Sequence, residues 1–211
     1  NLHIGGGRIT FDFVSPFGRI DGIELGVPVS INIDNGIAAM ALAQIAGADT
    51  DEIRRGMQTY SGVDRRFDFK IKNSRHVLLS DSAHNPAEIR QSILSLREVF
   101  NGRRLTGIFQ PHLYTRTRDF YHEFADSLSL LDDVIILDIY PAREQPIEGV
   151  TSRLIYDNLR PGIPKRHCHK EDLPALVDSE DFDVLAVLGA GDADNYMDQL
   201  KAIIEAKEPR P

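Results

Sequence analysis

From residue 76 onward, short uninterrupted apolar runs alternate with amphipathic stretches, and this alternation restricts the possible folds more than any other feature. The runs cover residues 76–80, 105–109, 134–140 and 184–188, and helical periods follow near residues 86–100, 118–131, 152–159 and 193–206. Strands that are apolar along their whole length are covered on both faces, as in parallel sheets. The pattern therefore predicts an α/β domain with a Rossmann-like, doubly wound, mostly parallel sheet.

The amino-terminal residues follow a different pattern. Alternating apolar and polar residues between positions 8 and 33, broken by Gly18, Gly22 and Gly26, predict antiparallel strands with tight turns. An Ala-rich helix at 35–46 follows, whose residues 38–46 we expect to pack in the core, and then a helix with Thr50 as its N-cap. Residues 61–67 fit neither the strand alternation nor the helical period. We therefore expect residues 1–65 to be the tail of a domain whose beginning is absent, and residues 66–211 to form a second domain.

Composition excludes several classes of protein. The chain has 24 Lys and Arg against 32 Asp and Glu, and its net charge of −8 does not suit binding to nucleic acid or to anionic lipid. Cys168 is the only cysteine, which excludes an internal disulfide and a cysteine-based zinc site and fits a reducing, cytoplasmic compartment. We find neither a membrane span nor a signal peptide, and the start lacks Met, so we expect a piece of a longer soluble protein.

The residues that follow the predicted strands are polar in every case. In an open parallel sheet, ligands bind beyond the carboxyl ends of the strands. The segments at this edge are residues 81–86, 110–119, 141–144 and 189–192. Two of them contain His and two contain Arg, so the sequence predicts a locally cationic crevice that suits carboxylate or phosphate ligands.

Within these segments the residues differ in what they indicate. Residues 81–86 end a strand and begin a helix whose amides would face an anion or a ribose, although Asp81 or Asn85 could also be plain caps. Arg116 and Arg118 are two residues apart and cannot share one helix face, and we favour Arg116 as the ligand contact.

Two further segments are more typical of ordinary structure than of a binding site. The Gly-Ala-Gly sequence at 189–191 is more typical of a tight turn than of a nucleotide loop. Residues 165–169, which contain His167 and His169, are expected to be a solvated basic loop.

Three motifs are absent from the sequence. It contains no G-x-x-x-x-G-K-[ST] phosphate loop, no Cys/His metal cluster and no serine nucleophile elbow. This chain alone therefore has no standard means of binding ATP phosphates and Mg²⁺.

One sequence motif resembles a known family specifically. Residues 109–119 (FQPHLYTRTRD) resemble the Mur ligases, and among them the enzymes that join L-alanine to UDP-N-acetylmuramic acid. Weaker matches lie at residues 62–67, 81–88, 138–144, 146–150 and 189–192. The resemblance implies a cytoplasmic three-domain enzyme of peptidoglycan synthesis, with this chain as the end of the central ATPase domain and all of the carboxyl-terminal domain.

The same resemblance implies the reaction and its residues. ATP, with Mg²⁺ bound mainly elsewhere, would phosphorylate the substrate carboxylate, and the amine of alanine would attack the acyl phosphate. Asn32 and Asn35 would contact adenine, and Arg66 would face nucleotide phosphate. Asp81 and Asn85 would also take part in binding the nucleotide. His84 would line the nucleotide and amino-acid side, while His112 and Arg116 would hold the amino-acid carboxylate or the acceptor.

The chain departs from the family pattern at Ser82, Asn85, Leu113 and Ile31, where the family carries Tyr, His, Arg and His. Residues 81–86 also resemble folylpolyglutamate synthases, whereas the phrase at 109–119 favours the Mur ligases. Two alternatives stay open: a Mur-family ligase that adds a preformed peptide during cell-wall recycling, and a non-catalytic nucleotide-binding module. The sequence makes no prediction of oligomeric state.

Overall fold

The amino-terminal part forms a three-stranded antiparallel sheet followed by two helices. In the computed structural model, which describes residues 1–207, the strands are β1 (Leu2–Gly5), β2 (Arg8–Ser15) and β3 (Gly18–Glu24). Alternate residues of β2, namely Ile9, Phe11 and Phe13, are buried, as period-2 patterning requires. The antiparallel prediction is thus confirmed for β2 and β3, whereas the third predicted run, at 27–31, is a connection that ends in a helix.

Helices α1 (Ile31–Ile45) and α2 (Thr50–Thr59) follow, and each corrects a prediction. Asp49, not Thr50, is the N-cap of α2, because its carboxylate accepts the Glu52 amide while Glu52 accepts the Asp49 amide. The Ala-rich helix α1 is not packed into a core among the described residues, which corrects the second prediction. Only Gly36 and Met40 of α1 are buried, and Leu42 and Ile45 are 66% and 69% exposed.

The carboxyl-terminal part contains a six-stranded sheet with the order β4-β5-β9-β6-β7-β8. Its strands are β4 (Asp68–Lys72), β5 (Val77–Asp81), β6 (Leu105–Phe109), β7 (Asp133–Ile136), β8 (Lys165–His167) and β9 (Val184–Leu188). All neighbours pair in parallel except β4 and β5. The predicted mostly parallel sheet is confirmed, with β7 ending at Ile136 instead of near 140.

Neither edge strand of this sheet, β4 or β8, is predicted from the sequence. Charged residues alternate along β4, and β8 consists of Lys165, Arg166 and His167, so neither has the apolar run of a central strand. The expectation of a solvated basic loop at 165–169 is wrong for its first half. Arg166 pairs with Asp133 at 2.7 Å, and Nε2 of His167 lies 2.9 Å from the Ser152 hydroxyl.

Helices cover both faces of this sheet. Helices α3 (Pro86–Val99), α4 (Tyr114–Leu128) and α5 (Arg153–Asn158) lie on one face, and α6 (Leu173–Ser179) and α7 (Met197–Ala206) on the other. Neighbouring strand residues enter opposite cores, as Ile108 and Phe109 of β6 do. Each such fully buried side chain contributes about 1.5–3 kcal/mol relative to an exposed one, so both cores stabilise the sheet.

The four predicted helices of this part are observed, but their first and last residues differ from the predicted ones. Helix α4 begins at residue 114 instead of 118, α6 was not predicted, and a 3-10 turn at Ala193–Tyr196 precedes α7. Within residues 1–207, no helix has the length and apolar character needed to cross a bilayer.

The two parts are joined by a short connection and a few direct bonds. The Gly7 amide donates to the Val99 carbonyl at 3.0 Å. In the connection, Arg65 and Phe67 have φ angles of 62° and 44°, which are uncommon for residues with a Cβ. The Gly7 bond holds the turn after β1 against the end of α3, whereas the connection lies against the loop after β5, where the Ser82 amide donates to the Arg65 carbonyl at 2.8 Å.

Candidate active site

Four loops meet at the carboxyl edge of the sheet because strands β5, β9, β6 and β7 are neighbours. They follow Asp81, Phe109, Ile136 and Leu188. This is the edge where an open parallel sheet binds ligands. The strand order therefore brings together the polar segments that lie far apart in the sequence.

His84, His112 and Arg116 form one cluster at this edge. Nη1 of Arg116 lies 3.4 Å from the His84 carbonyl oxygen and 3.4 Å from Nδ1 of His112. The two imidazole rings are 6.2 Å apart between centroids. Arg118, in contrast, lies on the exposed side of α4 and pairs with Asp119 at 2.7 Å. The geometry agrees with the choice of Arg116 over Arg118 as the residue that points into the crevice.

The two histidines have different surroundings. Nδ1 of His84 lies 2.8 Å from the Ser82 carbonyl oxygen, so this nitrogen carries a proton and donates to that oxygen. The His112 ring stacks on Tyr140, with centroids 5.7 Å apart. Burial, and then the nearby charge of Arg116, lowers the pKa of His112 below its ordinary value. His112 is therefore neutral near pH 7.

The nucleotide candidates meet in another place. A cavity of about 420 Å³ lies between the amino-terminal part and the loop after β5. Asn32, Asn35, Arg66, Asp81 and His84 all line it. The cavity therefore joins residues of α1, the connection and the β5 loop in a single concave surface.

Asp81 and Asn85 have structural partners of their own. Asp81 is buried and accepts the Ser92 hydroxyl, and burial raises the pKa of its carboxyl. Asn85 is the N-cap of α3 and accepts the Glu88 amide at 2.9 Å. It does not line the 420 Å³ cavity. The structure therefore places Asn85 as a plain cap beside the other four residues.

Arg65 also reaches the strand ends, although its place in the sequence gave it no predicted role. Its guanidinium donates to the Gly191 carbonyl at 3.0 Å and lies 3.5 Å from Asp194. Its carbonyl accepts the Ser82 amide at 2.8 Å. The connection is thus tied to two of the four loops. The adjacent arginines at 65 and 66 were the available signal, but sequence alone does not tell which side each one faces.

The Gly-Ala-Gly turn at 189–191 is explained by packing. A Cβ on Gly189 would lie 2.5 Å from the Gln110 carbonyl oxygen, and one on Gly191 would lie 2.1 Å from its Oε1. The buried Gln110 amide donates to Asp192 at 2.8 Å and accepts the Ala193 amide at 2.9 Å. The glycines therefore allow close approach to Gln110, in agreement with the predicted tight turn.

Carboxylates lie beside the cations of the crevice. Glu88 accepts the His84 amide at 3.0 Å, and Glu144 accepts the Thr115 amide at 3.0 Å. Residues 1–207 contain no group of three His, Cys, Asp or Glu side chains that could hold a metal ion. A Mg²⁺ ion that accompanies ATP would therefore need further ligands, such as the phosphates of the nucleotide.

Comparison with known proteins gives the family. A model described as "Mur ligase, glutamate ligase domain" matches residues 65–191. Among curated proteins, the chain is 63% identical to UDP-N-acetylmuramate–L-alanine ligase of Phocaeicola vulgatus over 98% of its length and 54% identical to that of Parabacteroides distasonis over 97%. It spans 45% and 44% of those two proteins.

Solved structures show the same fold. The chain matches UDP-N-acetylmuramate-alanine ligase of Thermotoga maritima with a TM-score of 0.76 and 22% identity, covering 99% of this chain and 45% of that one. It matches folylpolyglutamate synthase of the same organism with a TM-score of 0.72 and 17% identity, covering 93% and 45%. These two likenesses support the fold alone, whereas the family model matches by sequence more than half of the chain. The chain belongs to the Mur ligase family.

Proposed function

We propose that this chain is the carboxyl-terminal part of an ATP-dependent ligase that joins L-alanine to UDP-N-acetylmuramic acid in the cytoplasm. The observation that carries the proposal is the cluster of His84, His112 and Arg116 at the strand ends. The names of the relatives support the same reaction. A packed loop needs no such set of an arginine and two imidazoles.

The two sheets support the proposed division of the chain. Residues 1–65 would be the end of the central ATP-binding domain, and residues 66–211 the carboxyl-terminal α/β domain. The three-stranded sheet lies wholly in the first range and the six-stranded sheet in the second. The exposed apolar side chains of α1, such as Leu42 and Ile45, fit a helix that further parts of the central domain would cover.

On this proposal the 420 Å³ cavity receives the nucleotide. Asn32 and Asn35 offer amide groups for hydrogen bonds to adenine, and Arg66 is exposed at the cavity wall, where it can reach phosphate. Asp81 and Asn85 shape the β5 loop beneath it. The phosphate loop and the main Mg²⁺ ligands would come from parts of the enzyme outside this chain.

Arg116 has the chemistry to hold the amino acid. A guanidinium binds both oxygens of a carboxylate, which leaves the amine of alanine free to attack. The γ-phosphoryl group of ATP would first pass to the muramic acid carboxylate, giving an acyl phosphate and ADP. The amine then attacks the acyl carbon, phosphate leaves, and the amine loses a proton as the amide forms. The neutral His112 has an unprotonated ring nitrogen that can accept a hydrogen bond beside that amine.

The test is ADP release by the complete gene product that carries this sequence. UDP-N-acetylmuramic acid and ATP are supplied with L-alanine, with a tripeptide, or with no amino acceptor. The proposal expects release that requires L-alanine. Release with the tripeptide alone would replace it with the recycling ligase, and no release with any acceptor would favour a non-catalytic module.

A further inference from the structure

Helix α4 has no cap from its own preceding residue. Leu113, at the N-cap position, has an apolar side chain that accepts no hydrogen bond. Instead, Glu144 accepts both the amide and the hydroxyl of Thr115, which lies 29 positions earlier in the chain. Unpaired amides and the helix dipole make a helix N-terminus favourable for a carboxylate. Glu144 therefore caps α4 from the loop that follows β7.

The capped turn is the one that carries the ligand candidates. His112 immediately precedes Leu113, and Arg116 immediately follows Thr115. Backbone bonds join the same two segments: the Leu113 amide donates to the Tyr140 carbonyl at 3.0 Å, and the Tyr140 amide donates to the Pro111 carbonyl at 2.8 Å. Residues 111–116 and 140–144 are thus fastened together at both ends.

Leu113 itself needs this support. Its φ angle of 75° is unfavourable for a residue with a Cβ, and such a conformation persists only where surrounding contacts hold it. The Glu144 bonds lie two residues beyond it on α4. They resist the relaxation of Leu113 that would turn the first helical turn away from the crevice.

We propose that Glu144 is a positioning residue of the ligase site, which holds the first turn of α4 so that Arg116 reaches the crevice between His84 and His112. Glu144 does not contact substrate in this role. The inference rests on the proposed function only in assigning the carboxylate of L-alanine to Arg116. The cap itself stands on the described contacts alone.

The carboxylate is suited to this task. The hydroxyl and the amide of Thr115 hold the pKa of Glu144 below its usual value, so the group stays ionised at neutral pH. Glu148 lies in the same loop and is exposed, and we find no hydrogen bond or ion pair to its side chain within residues 1–207. Glu148→Gln therefore removes one negative charge from the loop without removing a cap.

The experiment uses Glu144→Ala, Glu144→Gln and Glu148→Gln in the complete protein. Glu144→Ala should raise KM for L-alanine about tenfold, the effect of losing charge-assisted hydrogen bonds, and leave KM for ATP within about twofold. Glu144→Gln keeps an amide oxygen that can accept the Thr115 amide, so its KM should lie between those of the alanine variant and the wild type. Glu148→Gln should match the wild type.

A second measurement does not depend on activity. Hydrogen exchange at the Thr115 amide should be at least tenfold faster in Glu144→Ala than in Glu148→Gln, because only the first loses the cap. Unchanged exchange would overturn the cap. Faster exchange with equal increases in both KM values, or with no change in either, would overturn the positioning role. A wild-type protein without ligase activity would instead refute the proposed function and leave the exchange result to decide the cap.

Discussion

The contact between Gly191 and Gln110 allows a quantitative prediction. A Cβ at position 191 would lie 2.1 Å from Oε1 of Gln110 and 3.0 Å from Cβ of Tyr140. Both neighbours are held in place, so Gly191→Ala should displace the Gln110 amide from Asp192 and from the Ala193 amide. Overpacking costs about 1–3 kcal/mol and each lost hydrogen bond about 1 kcal/mol. We expect a loss of about 3–5 kcal/mol in the free energy of unfolding, the sum of the overpacking cost and the two lost hydrogen bonds.

A double-mutant cycle isolates the clash. Gln110→Ala alone leaves the buried Ala193 amide without its acceptor and should cost about 2 kcal/mol. Because that substitution also removes the atom that the added methyl group at position 191 would strike, the double variant should be at least about 1 kcal/mol more stable than the sum of the single effects predicts. Urea unfolding followed by circular dichroism gives the three values, since the chain has no Trp. Additive effects would refute the proposed contact.

Three further outcomes follow from the same structure. A Cβ added at Gly56 of α2 would have no atom within 4 Å, so Gly56→Ala should stabilise the protein by about 0.5–1 kcal/mol. Thermal unfolding measures this change, and a loss of stability would contradict the open surroundings of Gly56. Asp133→Ala removes the buried carboxylate that Arg104 and Arg166 share, and should lower the free energy of unfolding by about 2–3 kcal/mol. Urea unfolding measures this loss, and an unchanged unfolding midpoint would show that the two ion pairs contribute nothing. Because the folded-state pKa of His112 lies below that of the unfolded chain, the unfolded state takes up the proton first, and stability should fall as pH drops below about 6.5. That fall should be smaller in His112→Gln, and an identical pH profile would refute the lowered pKa.

The sequence predicts the central strands well because their burial is complete. Residues 105–109 and 184–188 were predicted with the observed limits, since a strand buried on both faces has a continuous apolar run. The edge strand Lys165–His167 carries no such signal. Its side chains are satisfied by ion pairs and hydrogen bonds that sequence does not reveal, such as the pair of Arg166 with Asp133.

The candidate site was predictable to a similar degree. The rule that ligands bind at strand ends selected the loops of His84 and His112, and nearness to the strand end favoured Arg116 over Arg118. The cap by Glu144 was not predictable from the residues alone, because it joins α4 to a loop 29 positions away. The buried surroundings of Asp81 likewise depend on Ser92, which belongs to the following helix. Such contacts follow from tertiary packing and not from local pattern.

The central claim is that Arg116 binds the amino acid in a ligase, and steady-state kinetics of the complete protein test it most directly. Arg116→Ala and its neighbour Arg118→Ala are compared for KM of L-alanine and KM of ATP. Loss of a charged contact to a carboxylate corresponds to roughly a 10- to 100-fold weaker interaction. We predict that increase in KM for L-alanine in Arg116→Ala alone, with ATP little affected. Equal alanine kinetics in the wild type and in Arg116→Ala would contradict the account.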